Sequence, residues 1–427
     1  MILIYTHKIT PRLRFVTRHI FRRIMGTPYE ITDSVDAFVK HTGPKLTYSR
    51  QPLQSEFFIR AHPLLFDRNI EPQDIHWRNW DEVPCFFEVD TRSTIPFDLF
   101  AASFFLLSRY EEYLPHQKDE TGRFRAIESV LSDRQEAMKR PLVDLWALKL
   151  KEAIKKAFPE TPFSEREYEV KVVVPVVSSH KYHYRSLSRH LFEVLLDIAQ
   201  FKFSDVGERL LTLLFSKPDP YDHYLSLKNG LEARNAELLL FFQFSRYAIQ
   251  DRNVSWSKSK FGFFLKHLND YLEIGYCRSR LALKDAEMFR SEFRKMQQLL
   301  HRPIRKTVLS DNRILLPDAY QELVQEEVQE DFSMGYTDVI GFRAGTCTPF
   351  PFYDLGLEIE QPLRVYPICV TEIALAQLDK ETMESQLQQI AHQVQSVKGT
   401  LCVQFSNEYI GLVGENTILQ LIQTLTE

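Results

Sequence analysis

The run VKVVVPVV at Val170–Val177 opens the part of the chain that decides the fold. It is apolar, rich in β-branched residues and short, which reads as a strand. Working outward, similar runs return as AELLLFFQF (Ala236–Phe244), LEIGYC (Leu272–Cys277), RKTVLS (Arg305–Ser310), a weaker one near Phe332–Tyr336, RVYPICV (Arg364–Val370) and TLCVQF (Thr400–Phe405). Between most of them apolar residues fall at helical spacing, as in Phe261–Tyr271, Ala286–Leu300, Ala319–Val328 and Glu381–Val397. Such β–α alternation predicts an α/β fold, a distorted TIM-like (β/α)-barrel of about seven strands. An open doubly wound sheet is the competing architecture.

Upstream the pattern is mixed. Met1–Tyr5 reads as a strand, and Thr10-Pro11 supplies an N-cap and a first-turn proline for a helix that Gly26 stops. Further helices are expected within Ser93–His116 and over Leu142–Phe158. Pro159–Arg166 is the best linker, so residues 1–165 are expected to form a smaller α/β domain and 166–427 the barrel.

Composition narrows the function. The 427 residues are 44% apolar and 26% charged, and a net charge of −4 gives no reason for general nucleic-acid affinity. Cys85, Cys277, Cys347, Cys369 and Cys402 are scattered, which suggests reduced thiols in a cytoplasmic protein. No apolar run is long enough for a transmembrane helix, and MILIYTHKITPRLRF does not read as a signal peptide. G-x-G, G-x-S-x-G and H-E-x-x-H are absent, against dinucleotide sites, serine hydrolases and zincins.

In either architecture, chemistry belongs at the C-terminal ends of strands. Those ends carry Ser178 and Ser179, Ser245 and Arg246, Cys277 and Arg278, Ser310 and Asp311, Arg343, Glu372, and finally Ser406, Asn407 and Glu408. No histidine is among them, whereas a hydrolytic zinc site wants about three His or carboxylate ligands. The expectation is no metal and no cofactor.

The stretch GFRAGTCTPF at Gly341–Phe350 resembles the arginine-bearing motif of the polysaccharide deacetylases, metal-dependent carbohydrate esterases that include chitin and nodulation-factor deacetylases. Together with GPKLTYSRQPL, IPFDLFAASFFLLSRYEEYLPH and its following Gly122–Phe124, PLVDLWALKLK and EDFSMGY, it makes nearly the whole chain resemble the cytoplasmic Bacteroidetes-type members, including their uncharacterised amino-terminal domain. The resemblance implies an Asp-x-Asp where Pro175, Val176 and Val177 stand, and histidines where Cys277, Ser310 and Ser406 stand. Asn407, Glu408, a late carboxylate at Glu372 and Arg343 remain. Base, ligands and acid are then missing together. The implied function is a catalytically degenerate deacetylase-like protein that binds a glycan, a glycan precursor or an active partner. The alternative is a carbohydrate-active hydrolase with replaced chemistry, using Glu372, Glu408 or Cys277.

Arg343 has lost the aspartate that it would orient, so its guanidinium is expected to face Asp311, Glu372, Glu408 or an anionic ligand. Tyr336, Phe342, Phe350, Phe352, Tyr353 and Tyr366 are candidates either for sugar stacking or for core. His180, His183 and His190, with Lys181, Arg185 and Arg189, read as a solvated basic loop or an anion patch, ahead of a metal site on the H-x-x-H spacing, which the clustered cations oppose. The arginines of Arg12–Arg23 read as part of a surface helix with its apolar side on the core, phosphate or an anionic membrane surface being the alternative, and the acids of Asp318–Asp331 as a solvated helix face.

Overall fold

In the structure, a computed structural model, all residues are described except Arg185, Ser186, Ser216, 246–253, 255–258 and Glu427, and except the side chains of Gln135, 187–189 and Asp205. The expected strand ends at Arg246 and the loop residue Arg185 therefore lie outside the described residues.

Fourteen strands are seen among the described residues. Ahead of the barrel come β1 (Ile2–Tyr5), β2 (Tyr29–Thr32), β3 (Lys45–Ser49), β4 (Phe57–Arg60), β5 (Arg78–Trp80) and β6 (Val83–Cys85). Then follow β7 (Glu169–Val176), β8 (Ala236–Gln243), β9 (Ile274–Arg278), β10 (Lys306–Leu309), β11 (Glu330–Met334), β12 (Phe350–Asp354), β13 (Ile359–Thr371) and β14 (Thr400–Gln404). The fold is a parallel seven-stranded (β/α) barrel made by β7–β11, β13 and β14, with a smaller α/β region before it. Its seven strands fall on the seven apolar runs. β12 is the exception to the alternation, an antiparallel strand paired with β13.

The chain divides into two compact units, one of Met1–Glu169 with Asn312–Cys402, the other of Val170–Asp311 with Val403–Glu427. In the first unit β2-β1-β3-β4 form a small parallel sheet. Thr10 caps the helix Pro11–Thr17 by accepting from the Leu13 N–H, and Gly26 ends the following segment with φ 61°. Arg12 is not on an outer face: it is 1% exposed and pairs with Glu358 at 2.5 Å. The helix Leu99–Leu107 is buried on every side, because LFAASFFLL offers no polar stripe to turn toward water. Trp146 packs against Phe86 and Phe97, and its indole N–H donates to the Pro84 carbonyl at 2.9 Å.

In the second unit β7, β8, β9 and β10 run parallel in that order. Gly275 is required in β9, because a Cβ there would stand 2.4 Å from the Phe241 ring and 2.9 Å from a backbone carbonyl. The helix Ala286–Leu300 covers its expected span, capped by Asp285. No helix among the described residues is long and apolar enough to cross a membrane.

Candidate functional site

Strand ends of the second unit come first. Pro175 lies within β7, where its missing N–H and fixed ring leave nothing for general base or metal chemistry. Cys277 is fully buried, its Sγ 3.8 Å from the Ser310 Oγ, so it is not placed as an accessible nucleophile. Ser310 donates to the Arg278 carbonyl at 2.6 Å. Arg278 is itself buried, donating from Nε and Nη2 to the Ala282 carbonyl, its guanidinium 4.3 Å from the centre of the Phe289 ring. Asp311 adopts φ 57° and receives a forked pair of hydrogen bonds from Arg280 at 2.8 and 3.0 Å. Ser406 caps the helix Asn407–Val413 through the Tyr409 N–H, and Asn407 donates to the Ser178 carbonyl at 2.7 Å. Glu408 lies in the first turn of that helix, where a carboxylate suits the dipole.

The metal implied by the resemblance does not fit these residues. A serine that caps a helix, a serine turned to a carbonyl, a buried thiol and a proline do not make a ligand set for a catalytic divalent ion. Among the described residues, no three His, Cys, Asp or Glu side chains are placed to hold one. The basic loop is also different from its expected form. His180 is buried, and His183 lies 3.5 Å from Asp219, whose carboxylate accepts the N–H groups of Lys181, Tyr182 and His183. Burial and Asp219 push the neighbouring Asp222 carboxyl up. Asp219 follows the loop by some forty positions, so the local run of basic residues gives no sign of it; Arg185 and the side chain of Arg189 lie outside the described residues.

The first unit holds Arg343, and its partner corrects the expectation. Neither Asp311, Glu372 nor Glu408 takes that place. Glu112 does, receiving Arg343 Nε at 2.9 Å and Nη2 at 2.7 Å in a two-pronged pair. Arg109 donates to the same carboxylate at 2.7 Å, to Glu111 at 2.6 Å, and to the Arg343 carbonyl. Glu111 also accepts from the Ser129 hydroxyl and the Val130 N–H. Burial alone would raise the Glu112 carboxyl, but Arg343 and then Arg109 hold it down at about 2. Arg109 is held at φ 53°, an uncommon backbone state for an arginine, which turns the chain out of the apolar helix into YEEY. Glu372, by contrast, opens the short helix Glu372–Leu375.

Further along GFRAGTCTPF, Thr346, Cys347 and Thr348 are also bound to the amino-terminal region. Asp144 in the helix Leu142–Ala157 is fully buried, and accepts from the Thr346 hydroxyl at 2.6 Å, the Cys347 N–H at 3.1 Å and the Thr348 hydroxyl. Gly345, at φ 62°, allows this approach, since a Cβ would stand 2.6 Å from Leu106. Two stretches that carried the resemblance, PLVDLWALKLK and GFRAGTCTPF, are therefore each other's partners.

Beside Arg343, past the end of β11, lies a cleft of about 230 Å³. Its walls include Phe124, Arg123, Arg125, Tyr336, Thr337 and Asp338. Arg123 is tied to Asp119 at 2.6 Å, and the Asp119 carboxyl is held well below its usual range by the Arg123 and Thr121 hydrogen bonds acting against burial. Burial pushes the Tyr336 phenol up to about 12, so it enters the cleft wall as a neutral ring. Tyr336, Phe342, Phe350, Phe352, Tyr353 and Tyr366 are each no more than 9% exposed, which makes them core rather than an open stacking platform. Asp331 likewise is not on a solvated face: it is buried and accepts from Tyr320 and Ser333, both at 2.8 Å.

Glu112 and Arg109 were missed from the sequence because Arg343, which both of them meet, is more than two hundred positions away. A signal was present: RYEE follows directly on a helix with no polar face, so its charges enter the interior with it.

A family model described as a family of unknown function, DUF7033, matches residues 2–159. No curated protein matches the chain. Among solved structures, it is similar to a chain described as a polysaccharide deacetylase from Mycobacterium smegmatis, at 9% identity and a TM-score of 0.39, over 62% of this chain and 85% of that one. It is also similar to a GH138 enzyme targeting pectin rhamnogalacturonan II, at 8% identity and a TM-score of 0.26, over 95% of this chain and 46% of that one.

Proposed function

We propose that the protein is a deacetylase-like barrel that has given up metal chemistry and binds a carbohydrate, either a glycan or a glycan precursor, in the cleft beside Arg343. The observation that carries this reading is the pairing of Arg343 with Glu112. In a deacetylase-like site the arginine would serve the catalytic aspartate; here it is neutralised inside the protein. The ligand is then a neutral sugar rather than a strongly anionic one. Arg125 and Asp338, both exposed in the cleft wall, offer hydrogen-bond donors and acceptors to hydroxyl groups. Small-molecule pockets run from about 300 Å³ upward, so a cleft of about 230 Å³ takes a single ring with the rest of the sugar outside.

The division near residue 165 and residence in the cytoplasm belong to the same proposal. All five cysteines are buried and none is in a disulfide among the described residues, which accords with a reducing compartment. An active relative as protein partner is the companion reading.

The test is calorimetric titration of the full chain with neutral and acetylated mono- and oligosaccharides, alongside assays for release of acetate and cleavage of aryl glycosides. Saturable binding without turnover, lost in Arg125→Ala with Asp338→Ala, is the expected outcome. Turnover would instead establish a hydrolase with replaced residues, with Glu372→Gln and Glu408→Gln as the variants that distinguish its catalytic acids.

A further inference from the structure

Between β7 and β8 the chain forms a helical hairpin, Leu187–Ala199 and Phe203–Leu214, that is built inside out. Arg209 of the second helix has a side chain only 6% exposed, and it pairs with Glu193 at 2.7 Å and Asp197 at 3.0 Å on the first. Thr212 is buried on the same side. The two helices are thus joined through charge, where helices are ordinarily joined through apolar stripes. Sequence spacing explains the inversion: Glu193 and Asp197 are four apart on one face, and Leu191, Leu195 and Ile198 lie on the other.

That other face is open. Leu191 is 65% exposed, Leu195 59%, Leu210 47% and Leu214 69%, with Phe201 at the tip reaching 80%. Among the described residues, twelve large apolar side chains between Leu191 and Phe215 are exposed. They present on the order of 1,000 Å², whereas one partner of a stable interface buries roughly 800 Å². Monomeric soluble proteins rarely leave an apolar patch of that size uncovered.

We propose that this face is covered by the same face of a second copy of the chain, two hairpins closing into a four-helix bundle about a two-fold axis. The area is that of a stable interface, and the leucine pairs at i,i+4 supply the apolar seam such bundles pack. Charge argues against a membrane as occupant. A helix that lies on anionic lipid carries a cluster of Lys and Arg around its apolar face. Here Arg209 is held inside by two carboxylates, and Lys202 and Lys217 are the exposed lysines that the described side chains of the hairpin and its exit provide. The whole chain also carries a net charge of −4.

The test is the mass of the full chain in solution by light scattering at micromolar concentration, beside that of Leu195→Glu with Leu214→Glu. The wild type is expected at twice its chain mass, and the double variant at the chain mass with an unchanged far-ultraviolet circular dichroism spectrum. A second measurement needs no variant: amide exchange in Leu187–Leu214 of the wild type slows as protein concentration rises. A monomeric wild type, a variant that stays dimeric, or exchange that ignores concentration would each overturn the proposal. So would a monomer that floats with phosphatidylcholine and phosphatidylglycerol vesicles, which would make lipid the occupant.

Discussion

Around Arg343 and in the hairpin Leu187–Leu214 the chain turns charge inward, yet the two regions are left in different states. Arg109, Glu111, Glu112 and Arg343 are each no more than 7% exposed, and their carboxylates and guanidinium groups answer one another within the first unit. The hairpin pairs Arg209 with Glu193 and Asp197 and leaves its leucines facing out. The first region is complete in a single chain. The second has an apolar face without a partner in it. A buried arginine is therefore a weak pointer to a ligand, because its charge has already been compensated, whereas an exposed apolar face is a direct pointer to a partner.

The largest effect is expected from removing one member of the buried network. Glu112→Gln leaves two guanidinium groups without their shared carboxylate, and a loss of about 3–5 kcal/mol is expected in urea unfolding. Leu195→Glu should change the stability of the isolated chain by no more than about 0.5 kcal/mol, because its side chain is already 59% exposed.

Acidity separates two buried carboxylates of the first unit. Glu112 is held at about 2, so it contributes stability above its unfolded value and loses it as pH falls toward 2. Asp98, which caps Leu99–Leu107 and accepts from Tyr48 and the His62 N–H, is raised by burial to about 6, its hydrogen bonds offsetting only part of that. Its sign is opposite. The folded chain binds that proton more tightly, so its contribution is present below the unfolded value and lost as pH rises through about 6. Each effect is about 3 kcal/mol. Unfolding followed against pH should lose its steep limb between roughly pH 5 and 2 in Glu112→Gln, and its decline between roughly pH 4 and 6 in Asp98→Asn.

The smallest effect is expected at the cleft. Arg125→Ala should leave stability within about 0.5 kcal/mol while removing sugar binding, since Arg125 is exposed and makes one long contact, to Gln117 at 3.5 Å.

Much of the fold could be read from residue order, and much of the site could not. Seven short apolar runs located the seven parallel strands, because a strand covered by helices needs apolar residues on both faces. β12 escaped, since Pro351 within FPFYD argues against a strand and only pairing with β13 accommodates it. Strand ends at Cys277, Ser310 and Ser406 were located by periodicity, but what their side chains do was not, because a serine that caps and a serine that binds look alike in sequence. Glu112 illustrates the limit most clearly: nothing local to YEEY names a partner in GFRAGTC.

Arg343 braces the fold through Glu112 rather than holding a ligand. A double-mutant cycle of Glu112→Gln and Arg343→Met in urea unfolding tests it most directly, with sugar binding measured on the same proteins. A coupling of about 1.5 kcal/mol or more is expected, with sugar binding retained in Arg343→Met. A coupling near zero, together with binding abolished in Arg343→Met at unchanged stability, would contradict it.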